Sequence, residues 1–261
     1  MNASSVLIGI GSNLGNSVEL VEQSIESLAN SSVSVVRTSS FVSSMAVGGP
    51  SGQPDFVNAV VFVKTELCAE ELAARLRQVE QQIGRERELH WGPRLIDLDL
   101  LIFEDQVLSE PKLTIPHPRM AFRPFVLAPA AQIASDMVHP ELGTTCGELW
   151  SHLQKSMRWV WIEPSTDPEP LIPLCLALGA KDEHLPRWHF GSRAPSGGSS
   201  TARPRLALRV SSVTSASIAP LSHPEFGPLP TLEFLTGEGS ESPVVDLVAL
   251  IHGTQTTIKL L

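Results

Sequence analysis

The stretch that constrains this chain most is residues 95–103, L-I-D-L-D-L-L-I-F, an apolar run broken by two acids two positions apart. A short apolar run bounded by a turn signal, here Gly92-Pro93, reads as a buried strand. Strand side chains alternate faces, so Asp97 and Asp99 share one face while Leu98 and Leu100 share the other. Two residues along a strand span about 6.6–7 Å, a distance over which two carboxylates bracket one cation or a pair. Ionised carboxylates beside a core are costly unless paired or metal-bound. Arg85, Arg87 and Arg94 lie just upstream and offer one kind of partner. Arginine forks also match phosphate oxygens, and Mg²⁺ takes a few carboxylates while keeping its other positions for water and phosphate. Simple salt bridging is the bland alternative. Arginines, Trp91 and the acids arriving together are what a phosphate-plus-Mg²⁺ site requires.

The order of elements before this stretch suggests the fold. Residues 6–10 are an apolar run ending at glycine, a buried strand. G-S-N-L-G at 11–15 leads into a helix, with Val18, Val21, Ile25 and Leu28 at helical spacing and Asn16 or Ser17 to cap it. Gly9, Gly11 and Gly15, with no Lys-Ser or Lys-Thr after them, are a weak nucleotide signature, and a tight turn that needs glycine accounts for them. Residues 33–43 and 55–64 read as strands, with a flexible turn cluster at 48–52 between them. Asn58 is the polar exception in the second strand, either bonding locally or serving as a ligand amide. Residues 69–83 form an amphipathic helix with Leu72, Leu76, Val79 and Ile83 on one face, stopped by Gly84. Arg75, Arg77, Glu80 and Gln81 fall on its other faces and read as solvated. The resulting order, β-α-β-β-α-β, is that of a ferredoxin-like α+β fold, an antiparallel sheet with helices on one face.

Residues 106–109 read as a short hairpin strand. Residues 112–119, K-L-T-I-P-H-P-R, are held extended by their prolines. Helices are expected at 120–134, limited by Pro124 and Pro129, and at 145–154. Beyond about 156 the character changes: residues 159–162 suggest a strand, 164–173 are acidic and proline-rich, and 191–204 contain S-G-G-S-S without apolar periodicity. The segments at 206–213 and 244–251 suit strands or a short helix. The chain therefore divides into a domain at 1–156, an extension at 157–190, a linker at 191–204 and a small accessory segment at 205–261. A chain ending near Ser156 is expected to fold and function, unless residues 159–162 add a strand to the core sheet.

A net charge of −9 argues against a nucleic-acid or acidic-membrane surface. Cys68, Cys146 and Cys175 are too scattered for a disulfide framework and suit a reducing cytoplasm. No signal-like start or membrane-length apolar run is present.

The pattern R-x-R-x₃-W-G-P-R-x-I-D-L-D at 85–99 resembles the signature of the 6-hydroxymethyl-7,8-dihydropterin pyrophosphokinases. G-S-N-L-G, F-V-N-A and L-T-I-P-H occur in matching order, so the resemblance covers roughly residues 5–155. It implies the ferredoxin-like fold and transfer of an intact diphosphate from ATP to the dihydropterin hydroxymethyl group in folate synthesis, with AMP released. It implies that Asp97 and Asp99 hold two Mg²⁺ ions that bridge the ATP phosphates and the pterin hydroxyl. Arg87 and Trp91 resemble residues of a mobile loop that closes over the site, acting in catalysis with Arg94 and the two acids. Arg85, Arg94, Leu100, Lys112, Thr114, His117 and Arg123 resemble the nucleotide-contacting set, with a basic His117 touching phosphate. Ser44, Met45 and Val47 resemble the wall of the pterin pocket, Phe56 and Phe125 the aromatic pair that stacks on the ring, and Asn58 the amide that reads its edge.

The implied substrates are ATP and the dihydropterin, with no nucleic-acid or membrane partner, a cytoplasmic location and an open oligomeric state. The chain departs from the common pattern at Phe56, where tyrosine is frequent, at Lys112, where arginine is, and at Pro118; the loop between Arg87 and Trp91 is short. The rival is a non-catalytic pterin or nucleotide binder that uses its tail for interaction. Intact Asp97 and Asp99 favour the enzyme.

Overall fold

The computed structural model describes residues 3–47, 52–84 and 93–155 and, beyond them, the segments 157–162, 189–191, 204–211, 222–223, 227–235 and 258–261. The first elements are β1 (Ser4–Ser12), α1 (Ser17–Leu28), β2 (Val33–Thr38), β3 (Val42–Ser44), β4 (Phe56–Thr65), α2 (Ala69–Ile83) and β5 (Asp97–Phe103). There follow a hairpin of β6 (Leu108–Glu110) and β7 (Leu113–Ile115), a 3₁₀ turn at Met120–Phe122, α3 (Pro124–Ala134), a small hairpin of β8 (Val138–His139) and β9 (Thr144–Thr145), and α4 (Cys146–Lys155). The remaining strands are β10 (Met157–Ile162), β11 (His189–Gly191), β12 (Pro204–Ser211), β13 (Ser222–His223), β14 (Gly227–Pro228), β15 (Thr231–Leu235) and β16 (Ile258–Leu260).

The expected β-α-β-β-α-β order is present. Its second strand is divided into β2 and β3 because residues 39–41 oppose only residues 59 and 60, so one residue bulges and the Ser39 hydroxyl accepts the Val60 N–H at 3.0 Å. In the main sheet β4 is flanked on one side by β1, with β5 beyond it, and on the other by β2 and β3 in succession; all these pairs are antiparallel.

The two sheet faces differ. Val6, Ile8 and Ile10 of β1, Val61 and Val63 of β4, and Leu98 and Leu100 of β5 bury against Val21 and Leu28 of α1 and Leu72, Leu76 and Val79 of α2. Each such side chain contributes about 1.5–3 kcal/mol. On the opposite face Leu7, Val60 and Leu101 pack under Phe122, Leu127, Ile133 and Leu149. The later helices thus cover the second face, but only the part around Leu7 and Leu101. The helix expected at 120–134 is broken at Arg123, which is extended at φ −99° and ψ 109°. Proline disfavours helical backbone in the residue before it, so Pro124 starts α3 rather than interrupting it. Asn16 does not cap α1 with its side chain; its amide donates to Glu19 Oε2 at 2.8 Å instead.

Beyond residue 155, β10, β11, β12 and β15 form a four-stranded parallel sheet in the order β11-β10-β12-β15. Because β10 pairs with both β11 and β12, segments 157–190 and 205–235 contribute to one sheet, where the sequence had suggested two pieces across a linker. Gly191 and Pro204 belong to its strands. Residues 164–173, 192–203 and 244–251, read above as an acidic stretch, linker and possible strand, lie outside the described residues. β10 does not join the main sheet; β16 does, pairing antiparallel with β3.

Candidate active site

Where α3 and α4 leave the second face uncovered, a cavity of about 140 Å³ opens. Its floor is β1. Gly9 pairs with Asp99 and Gly11 with Asp97, so each acid stands across from a residue with no side chain. A Cβ on Gly11 would come within 3.4 Å of Asn58 Oδ1 and 3.7 Å of the Phe56 ring, and one on Gly9 within 3.3 Å of Leu101. These glycines make space on a strand. The turn explanation given for the glycine run holds only at Gly15, where φ is +69°.

Met45, Val47, Phe56, Asn58 and Phe125 line the cavity together with Arg94, Asp97, Asp99 and Arg123. Residues expected at a pterin and residues expected at phosphate therefore meet in one space. Ser44 stands behind this wall, buried, and its hydroxyl accepts the Asn58 Nδ2–H at 3.0 Å. Asn58 does bond locally, and these hydrogen bonds fix the amide of a side chain that also lines the cavity.

The charged end is built from β5 and the segments against its outer edge. Asp97 and Asp99 are on the cavity face, with side chains 20% and 39% exposed. Arg94 is ion-paired with Asp97. Leu100 lies on the opposite face, buried under α1 and α2, so its side chain cannot reach a nucleotide in this cavity. The exposed edge of β5 is closed twice: Leu98 N–H donates to Glu80 Oε1 at 2.8 Å, and His117 N–H donates to the Leu101 carbonyl at 2.8 Å. Glu80, read from helical periodicity as solvated, is instead buried. Arg75 is likewise engaged, donating to the Ser27 carbonyl at the end of α1.

The His117 backbone bond brings its imidazole to Asp99, Nε2 facing Oδ2 at 3.6 Å. Arg119 N–H donates to Nδ1 at 3.1 Å, which leaves the ring proton on Nε2. Burial, with Arg123 and Arg119 beside it, pushes the imidazole down to about 3. His117 is therefore a neutral N–H donor at physiological pH, not the basic group expected. Burial also lowers Arg123, to about 10, where it stays charged. Its Nη1 is 3.9 Å from Asp99 Oδ2, and its guanidinium lies 5.6 Å from the centre of the Phe125 ring, so one side chain spans both ends of the cavity. Lys112 is exposed at the β6–β7 turn and Thr114 is half-buried on β7; neither lines the cavity. Arg85, Arg87 and Trp91 lie outside the described residues.

Sequence reasoning missed Gly9, Gly11, Gln53 and Arg119, which line the cavity, and Asn13, which assembles it. Asn13 is 1% exposed. Its Oδ1 accepts the Arg94 N–H at 2.7 Å and its own N–H donates to the Arg94 carbonyl at 3.1 Å. Its Nδ2 donates to the Pro54 carbonyl at 3.2 Å and to Gln53 Oε1 at 3.4 Å. One buried amide ties the start of the acidic strand to the loop that leads into Phe56. The only sequence signal was a polar residue inside G-S-N-L-G.

Among the described residues no group of three or more His, Cys, Asp or Glu is placed to hold a metal. Two carboxylates on one strand face, at the mouth of a cavity with arginines, still suit a hard cation whose other ligands are water and phosphate oxygens. Among the described residues no helix is long and apolar enough to cross a membrane.

The family model described as 7,8-dihydro-6-hydroxymethylpterin-pyrophosphokinase (HPPK) matches residues 7–135. A 2-amino-4-hydroxy-6-hydroxymethyldihydropteridine pyrophosphokinase of Synechocystis is 40% identical over 154 residues, covering 59% of this chain and 78% of that one. The enzyme of the same name from Haemophilus influenzae is 41% identical over 134 residues, covering 51% and 83%. Among solved structures, wild-type Plasmodium falciparum HPPK-DHPS with pteroate aligns at a TM-score of 0.46 and 12% identity, over 68% of this chain and 54% of that one. The matched residues contain the acid pair, the glycine floor and both aromatic walls of the cavity, and the chain belongs to the 7,8-dihydro-6-hydroxymethylpterin-pyrophosphokinase family.

Proposed function

We propose that this chain transfers an intact diphosphate from ATP to the hydroxymethyl group of 6-hydroxymethyl-7,8-dihydropterin, releasing AMP, as a cytoplasmic step of folate synthesis. The observation that carries this is the meeting, in one cavity, of an aromatic and amide wall with a paired-acid and arginine wall. The first wall suits a flat heterocycle, with Phe56 and Phe125 as stacking surfaces and the Asn58 amide at the ring edge. The second suits a triphosphate. Asp97 and Asp99 would hold two Mg²⁺ ions, which when bound neutralise phosphate charge and acidify the pterin hydroxyl.

The chain's own groups supply the rest. Arg94 and Arg123 stabilise charge on the phosphate oxygens, and neutral His117 donates Nε2–H without adding charge. Holding the hydroxyl and the β-phosphorus at adjacent ends of one cavity supplies orientation, which dominates phosphoryl chemistry. Arg87 and Trp91 belong to the proposed closing loop, and Arg85 to the nucleotide contacts, with Lys112 and Thr114 farther out. Leu100 contributes through its backbone only.

The test is the product nucleotide. ATP, Mg²⁺ and the hydroxymethyl-dihydropterin incubated with the protein should give AMP one-for-one with a pterin diphosphate, and none without pterin. ADP as the main product would contradict the reaction, and no turnover at all would favour a binder.

A further inference from the structure

The chain's last described strand, β16, lies on the outer edge of β3, whose continuation is the Met45–Val47 wall of the cavity. Ile258 pairs with Ser44, Lys259 with Ser43 and Leu260 with Val42, and Leu261 N–H donates to the Phe41 carbonyl at 3.0 Å. In an antiparallel ladder, bonded and non-bonded pairs alternate. Leu261 and Phe41 being a bonded pair, Lys259 and Ser43 are the next, and Ile258 stands opposite Ser44 in a non-bonded pair with side chains close. Ser44 pairs with Phe56 on its other side, and its hydroxyl holds the Asn58 amide. Ile258 therefore shares the cavity face with Ser44, Phe56 and Asn58, one strand farther out.

Without β16, β3 would be a three-residue edge strand with the Phe41 carbonyl and the outward backbone groups of Ser43 open to water. Edge strands this short are easily displaced. Leu260 and Leu261 stay 74% and 60% exposed, so the added strand is held mainly by backbone hydrogen bonds and not by burial.

We propose that residues 258–261 are a positioning strand for the pterin wall: by completing the β3 edge they hold Ser44, and through it Asn58 and residues 45–47, in the geometry that receives the pterin. This rests on the pyrophosphokinase reading of the cavity. It gives the region after residue 156 a role in the site without any chemical group of its own.

The experiment compares the full chain with three variants: one stopped at residue 257, Lys259→Pro, and Lys259→Ala. Proline removes the N–H of the Lys259–Ser43 pair, whereas alanine leaves it. Stopping at 257 and Lys259→Pro should raise KM for the hydroxymethyl-dihydropterin about fivefold or more, the scale of one lost backbone hydrogen bond. KM for ATP and kcat should hold within about twofold by the same argument, since the phosphate end is untouched, and Lys259→Ala should match the full chain. Unchanged pterin KM, or equal shifts in both KM values, would overturn the proposal. Hydrogen exchange on the full chain tests the strand independently of activity. The Ser43 amide should be protected, and protected less in the chain stopped at 257; an unprotected Ser43 amide in the full chain would refute the strand even if the enzyme is active. A full chain without activity but with a protected Ser43 would fault the functional reading alone.

Discussion

At the Phe56 end of the cavity the walls are set by strand register; at the Asp97 end they are set by charge. Phe56 and Asn58 project from the middle of a sheet between β1 and β3, and the space before them exists because Gly9 and Gly11 lack side chains. Asp97, Asp99, Arg94, Arg123 and His117 come from an edge strand and the segments folded over it. Neutral walls with their hydrogen bonds made within the sheet need no ligand to be stable, which suits a rigid ring. Charges clustered at a cavity mouth are most stable with counter-charges present, which suits a polyphosphate with its cations. Arg123 and Asn13 touch both halves, the first across the cavity and the second beneath it.

The largest effect is expected from the acids. Asp97→Asn and Asp99→Asn should each lower turnover on the order of 10³-fold while the melting temperature stays near that of the parent, because each keeps its shape and its partly exposed pairing with arginine contributes little to stability. If the acids served only as partners of the arginines, the melting curve would move and the rate would not.

Next comes Gly11→Val, which places methyl groups against Asn58 and Phe56. Pterin affinity should fall on the order of 10²-fold, the scale of overpacking a filled site, with ATP affinity nearly unchanged. Equal loss of both in binding titrations would break the division between the two ends.

Asn13 sharpens the comparison, since its two functional atoms serve different ends. Asn13→Asp keeps an acceptor for the Arg94 N–H but turns a carboxylate oxygen toward the Pro54 carbonyl and Gln53, so it should raise pterin KM about tenfold or more, and by more than ATP KM. Asn13→Ala should raise both. Steady-state kinetics on the pair decide between this and a general loss of stability.

The smallest effect on either end is expected from His139, buried beside α4 and away from the cavity. Burial pushes its imidazole down to about 4. As pH falls below the ordinary value near 6.5, the unfolded chain takes up a proton that the folded chain refuses until about 4. Stability present above pH 6.5 should thus be lost progressively between 6.5 and 4, by on the order of 3 kcal/mol, with a shallower loss in His139→Asn. Denaturation at several pH values measures this, and the ratio of the two KM values should not follow it.

The division between the ends also explains what was legible in the sequence. The acid pair was legible because strand alternation places Asp97 and Asp99 together without any tertiary information. Phe56, Asn58 and Phe125 came from the family resemblance, and the fold brings them to the same cavity. Gly9 and Gly11 were misassigned because glycine spacing looks the same in a turn and in a strand; only the facing residues, Asn58 and Leu101, reveal that space is the reason. Asn13 and Glu80 act through hydrogen bonds to residues distant in the chain, Arg94 and Leu98, which periodicity cannot report. β16 was invisible because three residues have no local strand signature and gain their conformation from β3. The sheet after 156 was not legible for a related reason, since parallel pairing joins strands far apart in sequence.

The most direct measurement is a crystal structure of the full chain with Mg²⁺, a non-hydrolysable ATP analogue and 6-hydroxymethylpterin. The pterin ring should lie against Phe56 and Phe125 with its edge on Asn58, and metal density should sit at Asp97 and Asp99 between the phosphates and the hydroxymethyl oxygen. A pterin bound away from Phe56 and Asn58, or phosphates held without Asp97 and Asp99, would contradict the division of one cavity between two substrates.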